Sequence, residues 1–510
     1  MSPFALLVAA VTSAALLYTI LSAIYNICFH KLSSFPGPIL ARSGLVSLGA
    51  EIPLPAEKLL STDQTWRICH SQRGRLHRAI QDAHRRYGPV VRFSPNELSF
   101  ATVESWKAIY GHRTGGNPTP IKSEFYDIYG AGFKSLCIGS ERDPHKHGKM
   151  RKMLSAAFAT KSLVEQEGII ATAVDEFVHR VGEEGVSERG INMTKWYEMA
   201  TFDMLGEMAF GQSFQSVKTG KPHFWSEIIV SHLYFITLID NLRRLPFVAS
   251  LAKLLFPSTL AVQNKNSRYA RQKVSERLAK KSTRKDFLSV VVQNYEQGSI
   301  DREEMTAHVS TLTIAGAETT ATFLAAVTYY LLKNPDCYQK LQAEISGRFA
   351  SYEQVNATDA RQLPYLQAII NEGLRIYAPG SGGFPRLSPG MYVGDIYVPA
   401  GAEMITHAWT LTHSEEYFSE PYAFKPERWL DPRSKDVKEA SQPFSMGPRG
   451  CLGQNFAYME VNLILAKLLW TYDLELLDRT FEWEQQSQLH VMWWKPDLMV
   501  RFWPRHARGR

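Results

Sequence analysis

One cysteine set among glycines near the C-terminus constrains this chain more than any other feature. Residues 444–453 read FSMGPRGCLG, with Gly447, Gly450 and Gly453 around Cys451. Glycine permits positive φ and close backbone approach, so the segment can fold tightly against a flat partner. It also leaves backbone N–H groups near the sulfur, and a metal-bound thiolate is stabilised by such donors. The pattern NFAYMEVNLILAKLLW that follows is helical, which puts a helix N-terminus beside Cys451 and favours the charged sulfur. Arg449 stands two residues away and can pair with an anionic cofactor edge. A lone cysteine is more often an inert buried residue; the spacing around this one argues otherwise.

Three further constellations accompany it. Residues 302–333 carry an apolar helical stretch interrupted by Ala315-Gly316-Ala317-Glu318-Thr319-Thr320. A carboxylate beside two hydroxyls is costly in a buried helix unless hydrogen-bonded. The small residues before it would let a flat group or a diatomic gas lie against the helix, and the acid could relay protons. A kinked helix with a satisfied polar patch is the plainer reading. In PYLQAIINEGLRIY, Glu372 and Arg375 share a helix face, and Arg428 follows downstream in FKPERW. On a surface such a pair contributes little. In DPHKHGKMRKML, His147 and Arg151 share a face of a predicted helix, beside His145, Lys146, Lys149 and Lys152. That run reads as an anion-binding helix, a solvated basic face, or a docking patch for an acidic partner.

F-x-x-G-x-R-x-C-x-G is the signature of the cytochrome P450 family, and Phe444, Gly447, Arg449, Cys451 and Gly453 match it without departure. The segment around Glu318-Thr319 resembles the family's oxygen-activation motif, and E-x-x-R followed by P-E-R-W resembles its structural brace. The resemblance implies a mainly α fold with small β-sheets (α+β), one large haem domain, and haem b with Cys451 as axial thiolate. It implies Phe444, Gly447 and Gly453 around the haem, and Arg449, Arg386, Arg151 and His147 at its propionates. Glu318 and Thr319 become the acid–alcohol pair for proton delivery. Glu372, Arg375 and Arg428 become a buried network. Segments such as YGPVVRFSPNELSF look like fungal microsomal members.

No Asp, Glu, Lys or Arg precedes Lys31. The apolar stretch is long enough to span a bilayer core, which takes about 20 helical residues, and it lacks the basic start of a cleaved signal. Residues 1–30 therefore read as a membrane anchor and 31–510 as the haem domain, with Phe35-Pro36-Gly37-Pro38 as a stiff hinge. Lys31 and Arg42, just past the span, favour a cytosolic body by the positive-inside tendency, hence a single-pass endoplasmic-reticulum protein. The sequons at Asn192 and Asn356 then read as chance matches.

Composition is 45% hydrophobic and 12% aromatic, enough for a large core. The net charge of +7 is scattered, which argues against nucleic-acid binding. Five widely spaced cysteines without C-x-x-C argue against zinc and against a disulfide framework. Between 144 and 345 the periodicity is helical, while 87–100 and 391–406 read as strands.

The expected reaction is insertion of one oxygen atom from O2 into a lipophilic small molecule, a secondary metabolite by analogy with fungal relatives. No G-x-G-x-x-G fingerprint occurs, so electrons are expected from NADPH through a separate cytochrome P450 reductase, with cytochrome b5 as a further donor. Stretches 125–133, 224–238, 380–384 and 488–492 are the candidate pocket walls, with Arg243 and Arg244 expected at the membrane surface rather than in the pocket. Two other readings keep Cys451: a haem-thiolate isomerase or dehydratase that does not use O2, and a membrane-anchored haem sensor without turnover.

Overall fold

The computed structural model describes residues 2–43, 63–113, 115, 118–244, 257–279 and 286–505. Helix α1 (Pro3–Ile24) starts at Ser2, whose hydroxyl accepts from the Ala5 N–H at 3.2 Å. With the π-helical turn Tyr25–Phe29 it forms a 27-residue apolar rod with none of its spanning window buried, long and apolar enough to cross a membrane. The proline hinge is seated on the body. The Arg92 N–H donates to the Pro36 carbonyl at 2.7 Å. A Cβ on Gly37 would lie 2.1 Å from the Arg92 carbonyl oxygen, so only glycine fits there.

The body is mostly helical. Helices α2 (Asp63–Gln72) and α3 (Leu76–Tyr87) precede the hairpin of β1 (Val90–Ser94) and β2 (Glu97–Phe100). Strand β3 (Ile121–Lys122) leads to α4 (Pro144–Ser155), α5 (Thr160–Gly185), β4 (Ile191–Asn192), α6 (Met193–Phe210) and α7 (Phe224–Leu242). The long α8 (Arg302–Lys333) and α9 (Pro364–Ile376) follow, then β5 (Arg386–Leu387), β6 (Met391–Val393), β7 (Ile396–Val398) and β8 (Glu403–Thr406). Helix α10 (Gln454–Thr471) begins three residues after Cys451. The chain closes with β9 (Tyr472–Leu476), β10 (Gln488–Leu489), β11 (Trp493–Trp494) and β12 (Met499–Pro504).

Local chemistry sets the boundaries of α8. The Asp301 side chain accepts from the Glu304 N–H at 2.7 Å, and Glu303 and Glu304 favour the positive N-terminus. Pro335 follows the last turn and forbids its continuation. Helix α8 is buried along most of its length among α6, α9 and α10, in the largest apolar core. Such a helix is apolar nearly all round rather than striped.

The main sheet has the order β1-β2-β8-β5-β3, and its β2–β8 pair is parallel. Lys122 of β3 stands opposite Arg386 of β5. That pairing joins segments more than 260 residues apart. Both sequon asparagines act as helix caps: Asn192 accepts from the Lys195 N–H and Asn356 from the Asp359 N–H.

Candidate functional site

The cysteine loop is built by its backbone. The Cys451 N–H donates to the Phe444 carbonyl at 2.8 Å, and the Gly450 N–H to Gly447 at 3.1 Å. Gly447 sits at φ +69°, and a Cβ there would lie 2.1 Å from the Tyr110 carbonyl oxygen. A side chain at Gly453 would meet nothing within 4 Å. The Phe444 ring lies 5.4 Å from that of Tyr458 on α10. Burial pushes the Cys451 thiol above its ordinary value, while the Gly453 and Gln454 N–H groups and the Arg151 charge pull it back. The side chain nevertheless remains accessible, so the sulfur is enclosed but not covered.

Around this loop the structure gathers cations. Arg449 donates to the carbonyls of Glu141 and Arg142 at 2.9 and 2.7 Å. Arg151 donates to the Gly450 carbonyl at 2.6 Å. Arg386 donates to the Tyr126 hydroxyl at 2.5 Å and to the Pro385 carbonyl at 3.0 Å. Lys122 donates to the carbonyls of Ile138 and Gly139 at 2.7 and 2.6 Å. None of these four makes an ion pair with a carboxylate among the described residues.

The crowding shows in their titration. Burial first, then Arg449 and Arg386, push Lys122 down to about 6. Burial, then Arg386, push Arg449 down to about 10. Burial, then Arg449, Lys122, Arg151 and Arg386, hold His147 neutral at about 3. Crowded cations, two of them buried (Lys122 and Arg386), favour either loss of a proton or a neighbouring anion. Two carboxylates on one flat group suit this donor set, and so do the open side of Gly453 and the accessible sulfur. Lys122 and Tyr126 were not legible as members of this cluster, because only the β3–β5 register brings them to Arg386.

On α8 the small residues divide their tasks. Ala315 is exposed and Thr319 half-exposed on one face, and the Thr319 hydroxyl donates to the Ala315 carbonyl at 2.7 Å. Gly316 does not lie on that face. A Cβ there would meet Leu205 of α6 at 2.8 Å, so its smallness serves helix packing. Ala317 is buried, and its carbonyl accepts from Thr201 at 2.9 Å. The expectation that all three small residues form one open face is corrected: helical rotation of about 100° per residue separates them.

Glu318 also points away from that face, into a buried ion pair with Lys495. Its carboxyl is raised above the usual range, by burial first and then by Glu198, against the pull of Lys495.

Glu372 and Arg375 are both fully buried. Arg375 donates to Glu372 through Nε at 2.9 Å and Nη2 at 2.8 Å, and Arg428 through Nε at 3.2 Å. Trp429 Nε1 and the Lys425 N–H complete the carboxylate, each at 2.9 Å.

A cavity opens beside Phe125, Tyr129, Thr237, Phe384 and Leu489, so each of the four candidate stretches contributes to its wall. One wall is charged. Arg244, expected at the membrane surface, is instead buried there, bonded to Glu97, to Asp240 (2.7 Å) and to Glu403 (3.3 Å). Arg243 joins the same network through Asp240 at 2.8 Å. The apolar segment before these arginines is α7, which packs on α2 and the helices beneath it.

The cytochrome P450 family model matches residues 65–502. The chain belongs to the cytochrome P450 family, and its class is that of the family's monooxygenases. It is 57% identical over 493 residues to the cytochrome P450 monooxygenase ORF9 of Penicillium roqueforti (strain FM164), covering 96% of this chain and 93% of that one. It is 53% identical over 479 residues to the cytochrome P450 monooxygenase BOT4 of Botryotinia fuckeliana, covering 94% and 88%. The crystal structure of the cytochrome P450DA heme domain superposes with a TM-score of 0.69 at 18% identity, covering 81% of this chain and 88% of that one. That likeness shows the fold.

Proposed function

We propose that this chain is a membrane-anchored haem-thiolate monooxygenase acting on a lipophilic small molecule. The observation that carries the reading is the cluster of Lys122, Arg151, Arg386 and Arg449, without ion-pair carboxylates, beside the accessible sulfur of Cys451. Haem b, held by the Cys451 thiolate, would supply the redox centre at which O2 is activated and one oxygen atom enters a C–H bond.

The chain's own residues do the rest. The N–H groups of Gly453 and Gln454 and the charge of Arg151 stabilise negative charge on the sulfur. Arg449, Arg386, Arg151 and Lys122 would hold the propionates, with His147 as a neutral donor beside them. Phe444 shields the cysteine side, and Gly447 and Gly453 allow close approach. Ala315 and Thr319 share the open face of α8, and the Thr319 hydroxyl, on releasing the Ala315 carbonyl, would be the proton donor on that face. Glu318 supplies the proton to that hydroxyl after turning from Lys495. Glu372, Arg375 and Arg428 hold the segment before the cysteine loop in place. The cavity walled by Phe125, Tyr129, Phe384 and Leu489 takes an apolar substrate and excludes water.

Electrons come from NADPH through a separate cytochrome P450 reductase, with cytochrome b5 as a second donor. Helix α1 anchors the chain in the endoplasmic-reticulum membrane with its body in the cytosol. A secondary metabolite is the proposed substrate class.

The test is incorporation of 18O2 into lipophilic metabolites by the full chain, reconstituted with reductase and NADPH. Label in product that depends on NADPH supports the reading. Product formed without NADPH or label would establish the isomerase or dehydratase reading, and spectral binding without turnover of any metabolite would establish a sensor.

A further inference from the structure

Four titratable side chains from three elements form one line from the surface to the middle of α8. Lys195 on α6 is half-exposed and pairs with Glu198 at 3.0 Å. Glu198, one turn further in, reaches Lys495 at 3.1 Å. Lys495, in the loop between β11 and β12, is 1% exposed and pairs with Glu318. Exposure of the side chains falls from 49% at Lys195 through 10% at Glu198 to 1% at Lys495 and 6% at Glu318. Burying an ammonium between two carboxylates is costly, and an apolar trio would be cheaper by packing alone. The arrangement therefore calls for a functional reason.

We infer that Glu198 and Lys495 form the inner limb of the proton route to Glu318. Lys195, Glu198 and Lys495 are the charged groups that face Glu318 from α6 and from the C-terminal loop. With one ammonium between two carboxylates, the buried trio carries one net negative charge and can take up one proton. A proton from water reaches Glu198, whose side chain retains slight exposure. Lys495 gives one N–H proton to Glu318 as Glu198 returns one to Nζ. The ammonium is unchanged, no electrons move, and one proton has passed from solvent to the Glu318 carboxyl. Neutralised, Glu318 loses its attraction to Lys495 and is free to turn toward Thr319, the next residue on α8. Glu198 meanwhile keeps Lys495 paired. Glu198 and Lys495 line neither the cavity nor the cysteine loop; they are positioning residues that act through Glu318.

The inference rests on Glu318 being the acid of proton delivery, so the experiment separates the two claims. The full chain is reconstituted with cytochrome P450 reductase, NADPH and O2 alone. NADPH oxidation, hydrogen peroxide release and the solvent deuterium effect are followed across pH. Lys495→Met and Glu198→Gln are each expected to slow NADPH oxidation by about tenfold, less than the roughly 10²–10⁴-fold that a general acid or base itself supplies, because both act through Glu318. Both should shift its pH profile and raise the peroxide share. Lys495→Arg keeps the charge but holds its protons too tightly to relay them, so it should fold normally and still leave rate and pH profile impaired, whereas a purely structural ion pair would be restored by it. A second readout is infrared: the protonated-carboxyl band lost in Glu318→Gln should shift in frequency and apparent pKa in Lys495→Met. If Lys495→Met and Glu198→Gln match the unaltered chain in rate, pH profile and band while Glu318→Gln is impaired, the route runs elsewhere and the inference fails. If Glu318→Gln itself changes nothing, the role given to Glu318 fails first. Should Lys495→Met not fold, Glu198→Gln decides.

Discussion

Lys122 and Arg386 stand opposite one another on paired strands β3 and β5, two buried cations with no carboxylate between them. Lys122 titrates near 6 in this fold, against 10.5 ordinarily. Between those values the unfolded chain binds more protons, so stability of the haem-free protein should rise with pH across that window. A bound dianion keeps Lys122 charged and should flatten the slope. Urea midpoints at about pH 6 and about pH 9, with and without haem, measure the effect. Lys122→Met should abolish the slope and weaken haem retention.

The Glu372 carboxylate satisfies Arg375, Arg428, Trp429 and the Lys425 N–H together. Glu372→Ala leaves two guanidinium groups buried beside a hole. A loss of about 3–5 kcal/mol is expected, read as a lowered denaturant midpoint and poor recovery of folded protein. Glu427→Ala, beside Arg428 but on the outside, removes a half-exposed pair with Lys340 and a hydrogen bond from the Tyr365 hydroxyl and should cost only about 1 kcal/mol.

Gly447 combines a left-handed φ with backbone contact to Tyr110. Gly447→Ala adds a left-handed penalty of ~1–2 kcal/mol and an overlap that must displace backbone. Haem content per folded chain should fall sharply. Gly148→Ala, on α4 with nothing near its Cβ, should raise helix stability by ~1 kcal/mol and leave haem content unchanged.

Arg244→Met removes the one guanidinium that serves Glu97, Asp240 and Glu403 together, leaving the first two to Arg67 and Arg243 and Glu403 only a 3.7 Å contact with Arg243. Burial and Glu97 already push the Glu403 carboxyl up to about 7 against the pull of Arg244, and loss of that pull raises it further above its unfolded value. The variant's stability deficit should therefore widen as pH rises from about 5 to about 8. Thermal unfolding at a series of pH values reads it directly. A deficit independent of pH would mean that packing, not charge, holds α7 to the sheet.

Much of this architecture was legible because its signals are short. The spacing around Cys451, the interrupted helix of Glu318-Thr319 and the Glu372–Arg375 pair each lie within one turn or loop. The apolar helical stretch read within 302–333 lies wholly inside helix α8. What escaped is non-local. Lys122 and Tyr126 join the cationic cluster only through strand pairing across the chain. Lys495 reaches Glu318 from a loop 177 residues later, and nothing near it in sequence marks it. Arg243 and Arg244 were misplaced because an apolar run before basic residues looks alike whether it faces lipid or α2. Gly316 looked like room for a ligand but is room for Leu205.

The central claim is a bond between the sulfur of Cys451 and a porphyrin iron. Purified full-length protein, reduced under carbon monoxide, should show the strongly red-shifted Soret band of thiolate ligation. Cys451→Ser should lose that band while Cys337→Ser, buried elsewhere, keeps it. A folded native chain that takes up haem without the band, or a Cys451→Ser variant that retains it, would contradict the account.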